Sequence, residues 1–144
     1  MSGAGGSGGD AVTSFFASKQ FAVVGASSNR AKYGNKVLRA YTEHGLTAIP
    51  VHPKETEVEG LAVQQLEDIE DPANTGVSII TPPGATGEVI EKAAKLGFTK
   101  LWLQPGAENK DVLDKLASMD VEYLAGGPCV LVSLARGDHK KANM

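Results

Sequence analysis

The sequence predicts a doubly wound α/β fold, in which a mostly parallel sheet of five or six strands carries helices on both faces. Two observations carry this prediction. Short apolar runs alternate along the chain with segments whose apolar residues recur at helical spacing. The 144 residues, 42% of them hydrophobic, also suit one domain with a substantial core. The strand order expected for such a domain is 3-2-1-4-5, counting strands along the chain.

The N-terminal half contains two helix–strand pairs. The first helix, over about 10–18, has its apolar residues on one side, and the apolar run at 20–24 gives the first strand. Helical spacing returns over 33–44 and stops at Gly45, which suits a left-handed C-terminal cap. The second strand follows at about 46–51.

The C-terminal half repeats this alternation after an acidic, polar stretch that predicts a solvated loop or a short irregular helix. The elements predicted there are strand 77–81, helix 85–96, strand 100–103, helix 108–118 and strand 121–124. A last apolar run at 129–134 predicts a sixth strand or a docking segment. The domain organisation expected is a flexible Gly/Ser-rich leader at 1–9, one domain at 10–135, and a frayed polar tail at 136–144 that includes His139.

Composition limits the classes of protein to be considered. The net charge is −3 at neutral pH, which argues against a nucleic-acid partner. A single cysteine rules out an intramolecular disulfide, and no apolar run is long enough for a signal peptide or a membrane span. We therefore expect a cytoplasmic protein with no membrane partner, as a monomer or a homodimer.

The turn at 25–35 has the features of a phosphate-binding site. Gly25 ends the first apolar run where the backbone must turn, and the next helix directs its unpaired N–H groups and positive dipole end toward that turn. Gly34 falls on the helix face that packs against the sheet. Ser27 replaces the second glycine of a G-x-G-x-x-G pattern, and no Walker sequence follows, so an ordinary strand–helix turn is the alternative.

Positive charge is concentrated around this turn. Residues 11–42 contain no Asp or Glu but carry five cations: Lys19, Arg30, Lys32, Lys36 and Arg39. A basic patch confined to one turn and one helix of an acidic chain indicates a small anionic ligand. Arg30 and Lys32 lie inside the turn, whereas Lys36 and Arg39 are expected on a solvated helix face.

The other predicted connections point to the same edge of the sheet. In doubly wound sheets the ligand lies beyond the carboxyl ends of the strands, where the strand order reverses. The second strand ends in His52-Pro53-Lys54, where a dinucleotide site usually has an acid for the ribose hydroxyls. The cation there favours a ligand with a phosphorylated ribose, either NADP or coenzyme A (CoA) with its 3′-phosphate, unless this is only a solvent-facing turn.

Several blocks together resemble a known family. The blocks are Gly25-Ala-Ser-Ser-Asn-Arg-Ala-Lys-Tyr-Gly-Asn35, Pro50-Val-His-Pro-Lys54, Thr81-Pro-Pro83, Trp102-Leu-Gln-Pro-Gly106 and Cys129. In this order and spacing they resemble the small single-domain CoA-binding proteins, whose Rossmann-like fold is similar to the nucleotide domain of the succinyl-CoA synthetase alpha subunit. The resemblance covers about 15–134, and it implies CoA or an acyl-CoA as the ligand.

By this resemblance, the turn after the first strand takes the CoA phosphates. The segment at 50–54 lies near the adenosine and its 3′-phosphate, and the loops at Thr81 and Gln104 line the rest of the crevice. The family usually has Asn where this chain has His52. The cofactor-binding residues so implied are Gly25, Ala26, Ser27, Ser28, Asn29, Arg30, Lys32, Tyr33, Gly34, Asn35, His52, Pro53, Lys54, Thr81, Pro82, Pro83, Gln104 and Gly106.

The resemblance supplies no reaction, because nothing here is similar to the catalytic histidine segment of the synthetase. Cys129 is the one candidate for covalent chemistry, although the apolar residues after it predict a buried core cysteine. No residue pattern predicts a metal site. We therefore expect a CoA-binding module without catalysis of its own. The alternatives are an NADP-dependent oxidoreductase, and an acyl-CoA- or thiol-handling enzyme that uses Cys129 for a mixed disulfide or for redox sensing.

Overall fold

A computed structural model describes residues 9–127 and 129–141. The leader predicted at 1–9 lies outside the described residues except for Gly9, which opens the first helix. The elements are α1 Gly9–Phe16, β1 Gln20–Val24, α2 Tyr33–Glu43, β2 Ala48–Val51, β3 Glu57–Val58, β4 Leu61–Ala62, β5 Thr75–Ile79, α3 Pro83–Lys95, β6 Lys100–Leu103, α4 Lys110–Ala117, β7 Glu122–Leu124, α5 Val130–Arg136 and α6 Asp138–Lys141. The predicted helices and the predicted strands of the main sheet lie within two residues of these bounds at each end.

The main sheet confirms the predicted α/β fold. Its five strands are all parallel, in the order β2-β1-β5-β6-β7. Helices cover both faces: α1, α2 and α5 pack with one core cluster, and α3 and α4 with the other. This is the doubly wound arrangement, with the order reversing between β1 and β5.

The predicted strand order, 3-2-1-4-5, is wrong in one place. The third strand of the main sheet, β5, pairs with β1 and not with β2, which gives 2-1-3-4-5 when the strands of this sheet are counted along the chain. The physical reason lies in Pro50, which is paired with Val23 inside β2. Proline has no N–H for a second neighbour, so a strand that contains it belongs at the edge of a sheet.

An aromatic cluster fixes α1 against the sheet. Ring contacts join Phe15, Phe16, Phe21 and Trp102, with ring centroids 5.1 to 6.0 Å apart. All four residues are at most 2% exposed. Tyr41 of α2 stacks on Phe21 at 4.9 Å. This apolar contact holds α2, and therefore the turn that precedes it, in a fixed position on β1.

Three segments differ from the sequence-based expectation. The acidic part of the polar stretch after β2 forms two short 3₁₀ helices, Leu66–Asp68 and Pro72–Asn74, in agreement with the short irregular helix expected there. The part before it forms the β3–β4 hairpin, which was not expected, and its two turn residues, Glu59 and Gly60, have φ of 52° and 79°. The apolar run at 129–134 forms helix α5, so no sixth strand joins the main sheet among the described residues. The segment expected to be a frayed tail begins as helix α6, where His139 is buried. In the described part of the chain, no helix has both the length and the apolar character needed to cross a membrane.

Candidate functional site

Two glycines bring the start of α2 directly against the end of β1. Gly25 has a φ of 99°, and a Cβ there would overlap the carbonyl oxygen of Ile80, next to β5. A Cβ on Gly34 would overlap the carbonyl oxygen of Gly25. The sharp turn predicted at Gly25 and the close packing predicted at Gly34 are therefore both present. As a result, the first turn of α2 faces the point where the strand order reverses.

The turn between these glycines is held by its own polar groups. The Ser27 hydroxyl accepts from the Asn29 N–H at 3.1 Å, and the Asn29 side-chain oxygen accepts from the Ala31 N–H at 3.0 Å. The buried Asn35 amide donates to the Ser27 carbonyl oxygen at 2.8 Å. Local bonds of this kind fix a turn in one conformation, so the backbone at 25–31 is preorganised.

The N-terminus of α2 is open to an anion. The helix begins after Lys32, no side chain caps it, and its first turn contains no acidic residue. Unpaired N–H groups and the helix dipole therefore give this end a positive potential. Lys32 and Lys36 are exposed. Arg39 was expected to be solvated. It instead donates to the Asn35 side chain at 2.7 Å and to the Arg30 carbonyl at 3.1 Å, because it lies one helical turn after Asn35 on α2, within reach of the loop.

Two carboxylates that the sequence analysis did not single out also contact the turn. Glu55 accepts the backbone N–H of Ser28 at 2.8 Å. Glu59 accepts from the Asn35 amide at 3.0 Å and pairs with Arg30 at 3.2 Å. The Ser28 bond holds the pKa of Glu55 below its usual value, and the Asn35 bond, followed by the Arg30 charge, does the same for Glu59.

The segment after β2 approaches the same turn. The Nδ1 atom of His52 accepts the backbone N–H groups of Lys54 and Glu55, at 3.0 and 3.1 Å. An asparagine side chain could accept backbone N–H groups in the same way, so the histidine here can support the same kind of turn. Pro53 and Lys54 are exposed, and Lys54 makes no ion pair with the described residues. The cation expected there is therefore available.

A groove of about 550 Å³ opens beside the start of α2. Its walls are formed by the start of α2, by the residues that follow β5 and β6, and by the residue before α5, and they are mostly apolar. The lining residues are Tyr33, Ile80, Thr81, Pro82, Pro105, Gly106, Ala107 and Cys129. Tyr33 belongs both to the first turn of α2 and to the groove, so the open helix end and the groove are neighbours.

Cys129 is not in the core, contrary to the expectation from its apolar flank. It is half-buried, and it lines the groove. The reason is that the apolar run after it forms helix α5 and not an interior strand, so Cys129 stands just before the helix. Its Sγ is hydrogen-bonded to the hydroxyl of Tyr33. Burial, together with Cys129, raises the pKa of Tyr33 above its ordinary value, so this phenol stays neutral.

Gln104 lies behind the groove and not in it. The side chain is fully buried, and its oxygen accepts from the Val130 N–H at 2.9 Å and from the Tyr33 hydroxyl at 3.3 Å. Its amide nitrogen has no hydrogen-bond partner among the described residues. Pro83 also stands apart, as the first residue of α3. The other implied contact residues lie in the turn, in the segment after β2, or along the groove.

Comparison with known proteins gives one family and several similar folds. The family of CoA binding domains matches residues 19–135. A conserved hypothetical protein from Pyrococcus furiosus is 33% identical, with a TM-score of 0.70, over 80% of this chain and 98% of that one. A hypothetical protein from Pyrococcus horikoshii is 25% identical, with a TM-score of 0.74, over 96% and 94% of the two chains. No curated protein matches this chain significantly.

Proposed function

Because the chain belongs to the family of CoA binding domains, we propose that it binds CoA or an acyl-CoA in the crevice described above. In this proposal the phosphates lie against the turn after β1 and the open end of α2. The adenosine and its 3′-phosphate lie near Lys54, and the pantetheine arm follows the groove beside Tyr33. The observation that carries the proposal is that an uncapped helix end and a mostly apolar groove adjoin one another at Tyr33.

The chemistry of the crevice fits the parts of such a ligand. Phosphate oxygens suit the unpaired N–H groups at the start of α2 and the charges of Arg30 and Lys32. The pantetheine arm is a flexible chain with amide groups, which suits apolar walls with a few polar atoms such as the Thr81 hydroxyl. The unpartnered amide nitrogen of Gln104 is a further donor close behind the same wall.

We also propose that the protein binds this ligand without transforming it. A thiol nucleophile is activated by a base that takes its proton, or by a cation or a helix N-terminus that stabilises its thiolate. Cys129 directly precedes the short helix α5, but no base among the described residues is hydrogen-bonded to its sulfur. The hydrogen-bond partner of Cys129 among the described residues is the hydroxyl of Tyr33. The raised pKa of Tyr33 means that this hydroxyl keeps its own proton at neutral pH and cannot act as the base for the thiol. The ring of His52 holds backbone N–H groups and so already has a structural role.

Calorimetric titration with CoA, NADP and NAD tests the ligand class. The proposal predicts binding of CoA and much weaker binding of both dinucleotides. Tight binding of NADP without binding of CoA would refute it and would favour the oxidoreductase alternative.

Dephospho-CoA tests the contact assigned to Lys54. A charge-assisted bond to phosphate contributes about 1.5 to 3 kcal/mol, so Lys54→Ala should weaken CoA binding about tenfold or more. The same substitution should cost little with dephospho-CoA, which lacks the 3′-phosphate. Lys36→Ala removes an exposed lysine from α2 and serves as the control, with an expected change within about twofold. An equal loss with both ligands would mean that Lys54 does not contact the 3′-phosphate.

The position of Cys129 in the groove favours a second candidate function, thiol–disulfide exchange. The Cys129 thiolate would attack a CoA disulfide, form a Cys129–CoA disulfide, and release CoA as a thiolate. Intact-mass spectrometry after incubation with CoA disulfide would then show one added CoA, which Cys129→Ser would abolish. A pure binding module shows no addition, and Cys129→Ser keeps its CoA affinity.

A further inference from the structure

The β2–β4 segment places carboxylates on the phosphate-binding turn. Glu55 accepts the N–H of Ser28, which is an exposed backbone donor of the turn. Glu59 pairs with Arg30, the cation that lies inside the turn. Both contacts use groups that the proposed function assigns to the phosphates of the ligand. A carboxylate resembles a phosphate in charge and in the hydrogen bonds that it accepts.

The segment that carries these carboxylates is anchored elsewhere. Val58 is 1% exposed and belongs to the core beneath α2, and it pairs with Leu61 across the hairpin. The Gln65 amide also donates to the carbonyl of His52 at 2.8 Å, which ties the return of the segment to its beginning. The backbone is thereby fixed, and the side chains of Glu55 and Glu59 can leave the turn without unfolding the hairpin.

Neither carboxylate is needed to close the turn. The Ser27–Asn29–Ala31 bonds hold the loop with no acidic group involved, and the Asn35 amide, which also donates to Glu59, holds the Ser27 carbonyl. Glu59 is the first turn residue of the hairpin and has a positive φ of 52°, a position where Asn or Gly is favoured. The turn geometry alone therefore gives no reason for a glutamate there.

We propose that Glu55 and Glu59 act as an internal anion that occupies the phosphate-binding turn in the free protein and must leave when a phosphorylated ligand binds. This inference rests on the proposed function. The two residues set the affinity of the turn, because every ligand phosphate competes with a carboxylate that is tethered beside it. The hydrogen bonds from Ser28 and Asn35 lower the pKa of Glu55 and Glu59, respectively. The titratable and charged groups that also face the pair are the His52 ring and the guanidinium groups of Arg30 and Arg39.

Removal of the competing charge should tighten binding. We expect Glu55→Gln to strengthen CoA binding about three- to tenfold in calorimetric titration, since the contact is solvent-exposed. The double variant with Glu59→Gln should gain more. Glu57→Gln is the matched control: it removes the same charge from the same segment, but the Glu57 side chain is exposed and its carboxylate makes no hydrogen bond or ion pair with the described residues, since Glu57 pairs with Ala62 through the backbone alone. Its effect should stay within about twofold. Weaker binding in either glutamine variant, or a gain no larger than that of Glu57→Gln, would overturn the inference.

A second readout separates this inference from the proposed function. In the free protein, the amide resonance of Ser28 should follow the titration of a carboxyl group with a lowered pKa, and Glu55→Gln should abolish that response. If the amide resonance of Ser28 does not follow a carboxyl titration, that result alone overturns the inference. If wild-type protein and variants all fail to bind CoA while this titration is present, the carboxylate contact stands and the proposed ligand is wrong.

Discussion

Gly34→Ala should separate α2 from the turn that it supports. The atoms nearest to the new Cβ are all backbone: the carbonyl group of Gly25 and the Cα of Ala26. None of them can rotate away, and ordinary carbon contacts lie at about 3.5 to 4 Å, so the helix must retreat on the order of 1 Å. Overpacking of this kind costs about 1 to 3 kcal/mol, of which up to about 1 kcal/mol is offset by the better helix propensity of alanine.

The expected result is a lower Tm and weaker ligand binding in the same variant. At about 2 to 4 °C per kcal/mol for a domain of this size, a net cost of about 1 to 2 kcal/mol corresponds to a Tm lower by roughly 2 to 8 °C. CoA affinity should fall about tenfold or more, because the N–H groups at the start of α2 move out of reach of phosphate. Gly84→Ala is the control, since a Cβ there meets no atom within 4 Å. A Gly34→Ala protein with wild-type Tm and affinity would refute this account of the turn.

Three further predictions concern stability. The buried hydroxyls of Tyr41 and Ser78 lie 2.6 Å apart, so Ser78→Ala should cost about 1 to 3 kcal/mol in urea unfolding, and adding Tyr41→Phe should recover part of that loss. The Asn109 side chain caps α4, so Asn109→Ala should cost about 1 kcal/mol by the same assay, whereas Asn109→Asp should cost less. Burial, and then the nearby ring of His44, lower the pKa of His139. The folded protein therefore takes up its proton less readily than the unfolded chain, and stability should fall as the pH drops below about 6.5. His139→Phe should reduce the fall in Tm between pH 7.5 and 5.5, and an unchanged pH profile would contradict this assignment.

Local sequence patterns were sufficient for helices α1 to α4, for the strands of the main sheet and for the geometry of the turn. Gly25 was predicted from the sharp turn at the end of the first strand and Gly34 from its place on the packed face of the next helix, and the structure has the positive φ of Gly25 and the close contact of Gly34 with the Gly25 backbone. The turn at Gly25 and the contact of Gly34 with Gly25 depend on residues that are close in sequence, whereas the contact of Gly25 with the Ile80 carbonyl oxygen depends on the fold. The two local features can be read from spacing alone.

The strand order needed information that the alternation of strands and helices does not contain. Alternating patterns specify parallel strands but leave open the side on which each one joins. Pro50 was the available signal, since a proline within the second strand marks that strand as an edge. Used in that way, it would have excluded the predicted order 3-2-1-4-5.

The site residues that were missed or misplaced depend on tertiary contacts. Glu55 follows the segment after β2, where no acid stands at the end of the strand. Only the fold shows that the Glu55 carboxylate accepts the backbone N–H of Ser28 in the turn after β1. Cys129 was expected in the core because its apolar neighbours were considered as one run. Those neighbours bury themselves on one side of a helix, which leaves the preceding residue at the groove.

The most direct test of the central claim is a titration of the ¹⁵N-labelled protein with CoA, followed by amide resonances. The account predicts that the shifts concentrate in the turn at 25–35, in the segment at 52–55 and along the groove at 80–82 and 105–107. Resonances of β7 and of the outer face of α4 should stay unchanged and serve as the internal reference. An absence of shifts at saturating CoA, or shifts confined to residues outside this crevice, would contradict the account.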